Sequence, residues 1–202
     1  MKILVKAAAI AAIVVAACAQ AASAAPVAFS LQLNGATENP VNASPGTGSS
    51  SMIFDLTAHT LEISVVFSGL LGNTTASHIH CCLANPFQMS PNAMVATTTP
   101  NFVGFPTGVS SGSFHTILDM TLASSYNPAF VTANGGIIGN AELALYNGML
   151  SSRSYLNIHT NLFPGGEIRG FISPVPEPAT VSLFGFGAAG LAGMVRRRRK
   201  PA

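Results

Sequence analysis

Charge is what this sequence has least of. Only 8% of its 202 residues are Asp, Glu, Lys or Arg, and the formal net charge of +2 comes from the two ends. Between Ala25 and Pro174 the only cations are Arg153 and Arg169, against Glu38, Asp55, Glu62, Asp119, Glu142 and Glu167, a net charge of −4. A chain without a basic face cannot neutralise phosphates, so nucleic acid is excluded as a partner. Cysteine is scarce too, at three residues. Cys18 lies in an N-terminal segment expected to be removed, and Cys81 and Cys82 are neighbours. With no spaced cysteine framework, the domain between the two ends must depend on its core. No internal repeat is visible. No second carboxylate stands at a fixed spacing from Glu167 to suggest acid–base catalysis. Glu167 and Arg169 flank Ile168 on one strand face and are expected to form a structural pair.

What is present in excess sits at the ends. Residues 1–24 read as a secretory signal peptide: Lys2 and Lys6 form the basic start, Ala7 to Ala17 the apolar core, and Ala22-Ser23-Ala24 the small-residue cleavage site. The expected mature start is Ala25, because cleavage before Pro26 would put proline directly after the scissile bond. A competing reading takes Val15-Ala16-Ala17-Cys18 as a lipoprotein box with a lipidated Cys18. A chain with an anchor at its other end has little need of one.

At the C-terminus, Val175-Pro176-Glu177-Pro178 precedes the apolar stretch Ala179 to Val195, and Arg196-Arg197-Arg198-Arg199-Lys200 follows. Seventeen uncharged residues would rise about 25 Å as a helix, slightly short of a ~30 Å hydrocarbon core. The cations after it predict a C-terminus on the cytoplasmic side. This order of motif, span and basic stop over residues 175–202 resembles the PEP-CTERM sorting signal of Gram-negative bacteria. The resemblance implies transient anchoring in the inner membrane and processing by an exosortase at the Pro-Glu-Pro motif. Signal peptidase and exosortase are then the expected processing partners, and the cell surface or extracellular space the destination.

Residues 25–174 remain, about 150 residues and the size of one domain with a real core. Their patterning is of period two. Leu61, Ile63, Val65 and Phe67 share one face opposite Glu62, Ser64, Val66 and Ser68, and with Ser51 to Thr57 across Ala58-His59-Thr60 they predict an antiparallel hairpin. Further strands are expected at Val27 to Leu33, Ser77 to Leu83, Gly112 to Leu122, Ser154 to Thr160 and Glu167 to Ile172. A long loop is expected from Ala96 to Ser113. Asn127 can cap a short helix that has Pro128 at its first position and ends at Asn134-Gly135. Asn140 can cap a second helix, over Ala141 to Leu150. The expected fold is mainly β: one antiparallel β-sandwich, immunoglobulin-like or superoxide-dismutase-like, with one or two short helices and a C-terminal membrane helix.

Three blocks carry a second resemblance. Phe29-Ser-Leu-Gln-Leu-Asn-Gly-Ala-Thr-Glu38-Asn-Pro40 comes first, then Ala76-Ser-His78-Ile-His80. The third is Tyr155-Leu-Asn-Ile-His159-Thr160 with Gly166-Glu167-Ile-Arg169-Gly170. In this order they are similar to the CHRD domain, a module named after chordin. The resemblance implies a β-sandwich and an exported location, and it supplies no activity and no catalytic residues.

One constellation has the character of a metal site. In a strand His78, His80 and Cys82 project from one face, with successive Cα positions about 6.7 Å apart. His159 follows the same rule on another strand and is the candidate fourth donor. Imidazole and thiolate suit zinc or copper, and four donors close a tetrahedral zinc site. The His-x-His resembles that of copper/zinc superoxide dismutases, whose remaining ligand pattern this chain lacks. Gly108-Val109-Ser110-Ser111-Gly112 matches the nucleophile-elbow pattern of serine hydrolases on paper. That motif needs a strand before it and a helix after, and here it lies in a Gly/Ser-rich loop followed by strand-like residues. Three readings follow. The first is a non-enzymatic, exported surface or biofilm-matrix protein, with matrix polysaccharide as a candidate partner. The second is a zinc or copper metalloprotein, and the third a serine hydrolase.

Overall fold

The computed structural model describes residues 25–176. The signal peptide expected at 1–24, the membrane helix expected at 179–195 and the basic tail at 196–200 lie outside the described residues. Among those described, no helix is long and apolar enough to cross a membrane.

Eight strands form one antiparallel sheet: β1 (Val27–Asn34), β2 (Thr47–Asp55), β3 (Thr60–Ser68), β4 (Thr74–Cys81), β5 (Gly112–Asp119), β6 (Ser154–Thr160), β7 (Ile168–Phe171) and β8 (Ser173–Pro174). The hydrogen-bonded order is β4-β6-β7-β1-β2-β3-β5, with β8 along β1. Every strand run expected from alternation is present, displaced by a few residues at its ends. The expected sandwich is corrected. There is one continuous sheet, curled into a half-barrel, because β1 bonds β7 through Asn34 and Arg169 and bonds β8 through Phe29 and Ser30. That seam joins what would otherwise be two sheets.

The concave face is apolar. Phe29, Leu31 and Leu33 of β1, Met52 and Phe54 of β2, and Leu61, Ile63, Val65 and Phe67 of β3 are buried there with Ile79, Leu156, Ile158 and Ile168. Each such side chain contributes roughly 1.5–3 kcal/mol by leaving water. Two helices close one end: α1 (Pro128–Ala133) and α2 (Ile138–Leu150). Asn127 caps α1 as expected, accepting from the Ala129 amide. Asn140 does not cap α2. That helix begins two residues earlier without a side-chain cap, and Asn140 donates instead to the Asn134 carbonyl. Leu145 and Met149 of α2 are buried, and Tyr146 meets Phe54 edge-on at 5.2 Å. His59, at a left-handed φ of 53° in the β2–β3 turn, holds the Glu142 carboxylate at 2.9 Å and ties that turn to α2.

The irregular segment that precedes β5 runs back along the start of β4. There Thr74 bonds Gly108 and Val109, and the Leu70 amide donates to the Ser110 carbonyl. The Gly108–Gly112 run therefore leads through irregular backbone into β5 rather than from a strand into a helix.

Candidate metal centre

The convex face of β4, β6 and β7 is polar yet covered. Cross-strand register places His78 beside Asn157, His80 beside Tyr155, His159 beside Ala76, and Asn157 beside Arg169. These residues stand opposite the core-facing Ile79, Leu156, Ile158 and Ile168. Residues of the loops after β4 and β6 fold over them and supply backbone carbonyls.

Those carbonyls fix the imidazoles. His78 Nε2 lies 2.6 Å from the Pro100 carbonyl, His80 Nδ1 lies 2.8 Å from that of Ala93, and His159 Nδ1 lies 2.8 Å from that of Pro164. A carbonyl only accepts, so each of these nitrogens carries the hydrogen. In the neutral ring the other nitrogen then bears a lone pair. The three lone-pair atoms are His78 Nδ1, His80 Nε2 and His159 Nε2. One ligand atom from each ring falls within 4.8 Å of the others, and His78 Nδ1 is 3.3 Å from His159 Nε2. His80 Nε2 is buried and has no hydrogen-bond partner among the described residues. Burial is the first cause that pushes the pKa of all three rings below the ordinary histidine value, His80 to about 4.

Cys82 does not join them. It is bonded to Cys81 as a disulfide of adjacent residues. The Cys82 Sγ lies 3.4 Å from the Ala144 carbonyl of α2, and a Cβ on Gly148 would come within 2.7 Å of that sulfur. Both sulfurs thus occupy the notch that Gly148 leaves in α2. Of the expected ligands, the structure brings together His78, His80 and His159.

Sequence reasoning missed the support beneath the trio. Tyr155 stacks on His80 with ring centroids 4.7 Å apart, and the Arg169 guanidinium carbon lies 4.0 Å over the Tyr155 ring. Burial first, offset in part by Arg169, pushes the Tyr155 phenol up to about 12. Arg169 is wholly buried and paired with Glu38, Nη2 to Oε2 at 3.0 Å, and Nη2 also donates to Asn92 at 2.9 Å. Burial raises the Glu38 pKa while the Arg169 charge opposes the rise. The expected Glu167–Arg169 pair is therefore corrected. Glu167 accepts instead from Ser44 Oγ, the Leu71 and Gly72 amides and Thr160 Oγ. These donors hold its carboxyl below the ordinary value although burial alone would raise it. The signal for Glu38 and Arg169 was present in the sequence: they are two of the few charges of the domain, and both lie in the quoted blocks.

Comparison with known proteins gives two matches. The CHRD domain model matches residues 29–172, well over half of the chain, and the PEP-CTERM protein-sorting motif model matches residues 174–200. No curated protein and no solved structure matches.

Proposed function

The chain belongs to the CHRD domain family and carries an exosortase sorting signal, and from that premise we propose that its domain is a metal-binding, non-enzymatic protein of the cell surface or extracellular matrix. The sorting signal makes it an exported exosortase substrate. The finer itinerary belongs to the proposal: an inner-membrane anchor with a cytoplasmic C-terminus, then release or attachment outside, in contact with matrix polysaccharide.

One observation carries the metal reading. His78 Nδ1 and His159 Nε2 face each other at 3.3 Å, and both bear lone pairs because their other nitrogens donate to carbonyls. Two lone pairs at that distance repel unless a proton or a cation lies between them. A proton would require an imidazolium, which burial of both rings disfavours. A cation suits the spacing. Imidazole–metal bonds of about 2.0–2.1 Å put nitrogens roughly 3.3 Å apart around a tetrahedral ion. His80 Nε2 supplies a third neutral donor, and the carbonyls on the far nitrogens are the outer-shell partners that orient metal-bound histidines. Three imidazoles without a thiolate suit zinc or copper. With His78 and His80 buried, the ion serves stability or storage rather than turnover of a substrate.

Titration calorimetry of the metal-free protein with zinc and with copper(II) tests this. One ion should bind per chain. His80→Gln should weaken binding by at least tenfold, a loss of about 1.4 kcal/mol. His115→Gln should leave binding unchanged, because His115 is exposed and paired with Glu62 on another face. No binding near neutral pH, or equal losses in both variants, overturns the reading.

A further inference from the structure

The sheet path has two ends, β4 and β5, and they are finished differently. The edge of β4 is occupied. His80 bridges Val95, the Cys81 amide donates to Met94, the Ala96 amide donates to Ile79, and Gly108 and Val109 bond to Thr74. The edge of β5 is bare: among the described residues, no backbone group of Gly112 to Leu118 has a partner other than β3. Leu118, on the core side of this strand, stays only half-buried, and Ile117 on its outer side is 59% exposed.

Unpaired edges are ordinarily protected by lysine, proline, a bulge or a covering segment. The eight residues of β5 contain no Lys, Arg or Pro, and their pairing to β3 runs without a shift of register. We propose that this edge is an interface for a second copy of the chain, with two β5 strands pairing antiparallel across a two-fold axis. Because the β4 edge is covered, the sheet-path edge that a second copy offers among the described residues is its own β5, which makes the contact isologous and closed.

Face parity limits the register to pairings centred on a residue, and the one centred on Thr116 is the one that sets Phe114 against Leu118. Placing Thr116 opposite Thr116 of the second copy keeps like faces together and overlaps Ser113 to Asp119. On the core side each Phe114 then meets Leu118 of the other copy and covers its half-buried surface. On the outer side His115 meets Ile117, and Ser113 can donate to Asp119. Moving by one residue would set core-facing side chains against outward ones.

Analytical ultracentrifugation of the protein isolated from its exporting cells, over a dilution series, should show a reversible dimer. Ile117→Lys, which puts a charge on the outer side of the edge without touching the core, should weaken that dimer at least tenfold. Thr116→Cys should give an intermolecular disulfide under mild oxidation, because the residue on the axis meets itself. Ser51→Cys, on the outer face of β2, should not. A monomer at every concentration overturns the proposal. So does a dimer that withstands Ile117→Lys and fails to crosslink through position 116.

Discussion

Replacing Glu38 by Gln preserves the shape of the side chain and deletes one charge from the most buried ion pair in the domain. Arg169 is 0% exposed and Glu38 1%, so neither can turn to water without local unfolding. Removing one partner of such a pair leaves an uncompensated charge and costs about 3–5 kcal/mol, against a total stability of about 5–15 kcal/mol for an ordinary domain. Burial raises the Glu38 pKa and so works against its ionised form. That places the expected loss at the lower end, about 3 kcal/mol. Urea unfolding followed by circular dichroism should show it as a lower midpoint at unchanged slope, since the surface exposed on unfolding is the same. Adding Arg169→Met should recover part of the loss, because it removes the stranded guanidinium and leaves an apolar stem against Tyr155. A loss below about 1 kcal/mol for Glu38→Gln would place the pair among solvent-screened ones and refute the reasoning.

Gly148→Ala would drive a methyl group into Cys81 and Cys82; overpacking of this kind costs about 1–3 kcal/mol, visible as a lower melting temperature, whereas Gly139→Ala, where a Cβ meets nothing, should not destabilise. The metal-free protein should lose stability as pH falls. The folded pKa of His80 is lowered to about 4, below an unfolded value near 6.5, so the unfolded chain binds the extra proton between those values. The penalty is absent above pH ~7, grows from about 6.5 down to about 4 and then levels off, with a ceiling on the order of 3 kcal/mol. Unfolding midpoints across that range check it, and a flat profile would contradict the burial of His80. Glu167→Ala should destabilise by several kcal/mol, because it strands two backbone amides and two hydroxyls together (roughly 1 kcal/mol or more each); chemical denaturation reads the loss directly.

The strands were legible because each presents its apolar side chains at alternate positions: Leu61, Ile63, Val65 and Phe67 declare β3 without help from the rest of the chain. The single curled sheet was not. It depends on β1 meeting β7 and β8, more than a hundred residues later, and alternation within a strand does not report its neighbours. The same division holds at the site. Parity placed His78 and His80 on one face of their strand and His159 by the same rule on another, and the register of β4 on β6 brought them together. Parity also placed Cys82 with them, but bonding to Cys81 removes its thiol from the ligand set. Glu38, 131 positions before Arg169, could not be matched to it from local pattern. Asn140 looked like a cap because its side chain type fits that role. In the fold it serves the carbonyl of Asn134, the residue that ends α1, and α2 starts on Ile138 instead.

The metal content of the protein isolated without chelator or affinity tag, measured by mass spectrometry, tests the central claim most directly. The converging lone pairs of His78, His80 and His159 predict about one zinc or copper ion per chain in the unaltered protein and a large loss of that ion in His80→Gln, with the fold retained by circular dichroism. Protein that is folded and yet carries no stoichiometric transition metal, or carries as much in His80→Gln as in the unaltered chain, would contradict it and return the three histidines to a purely structural role.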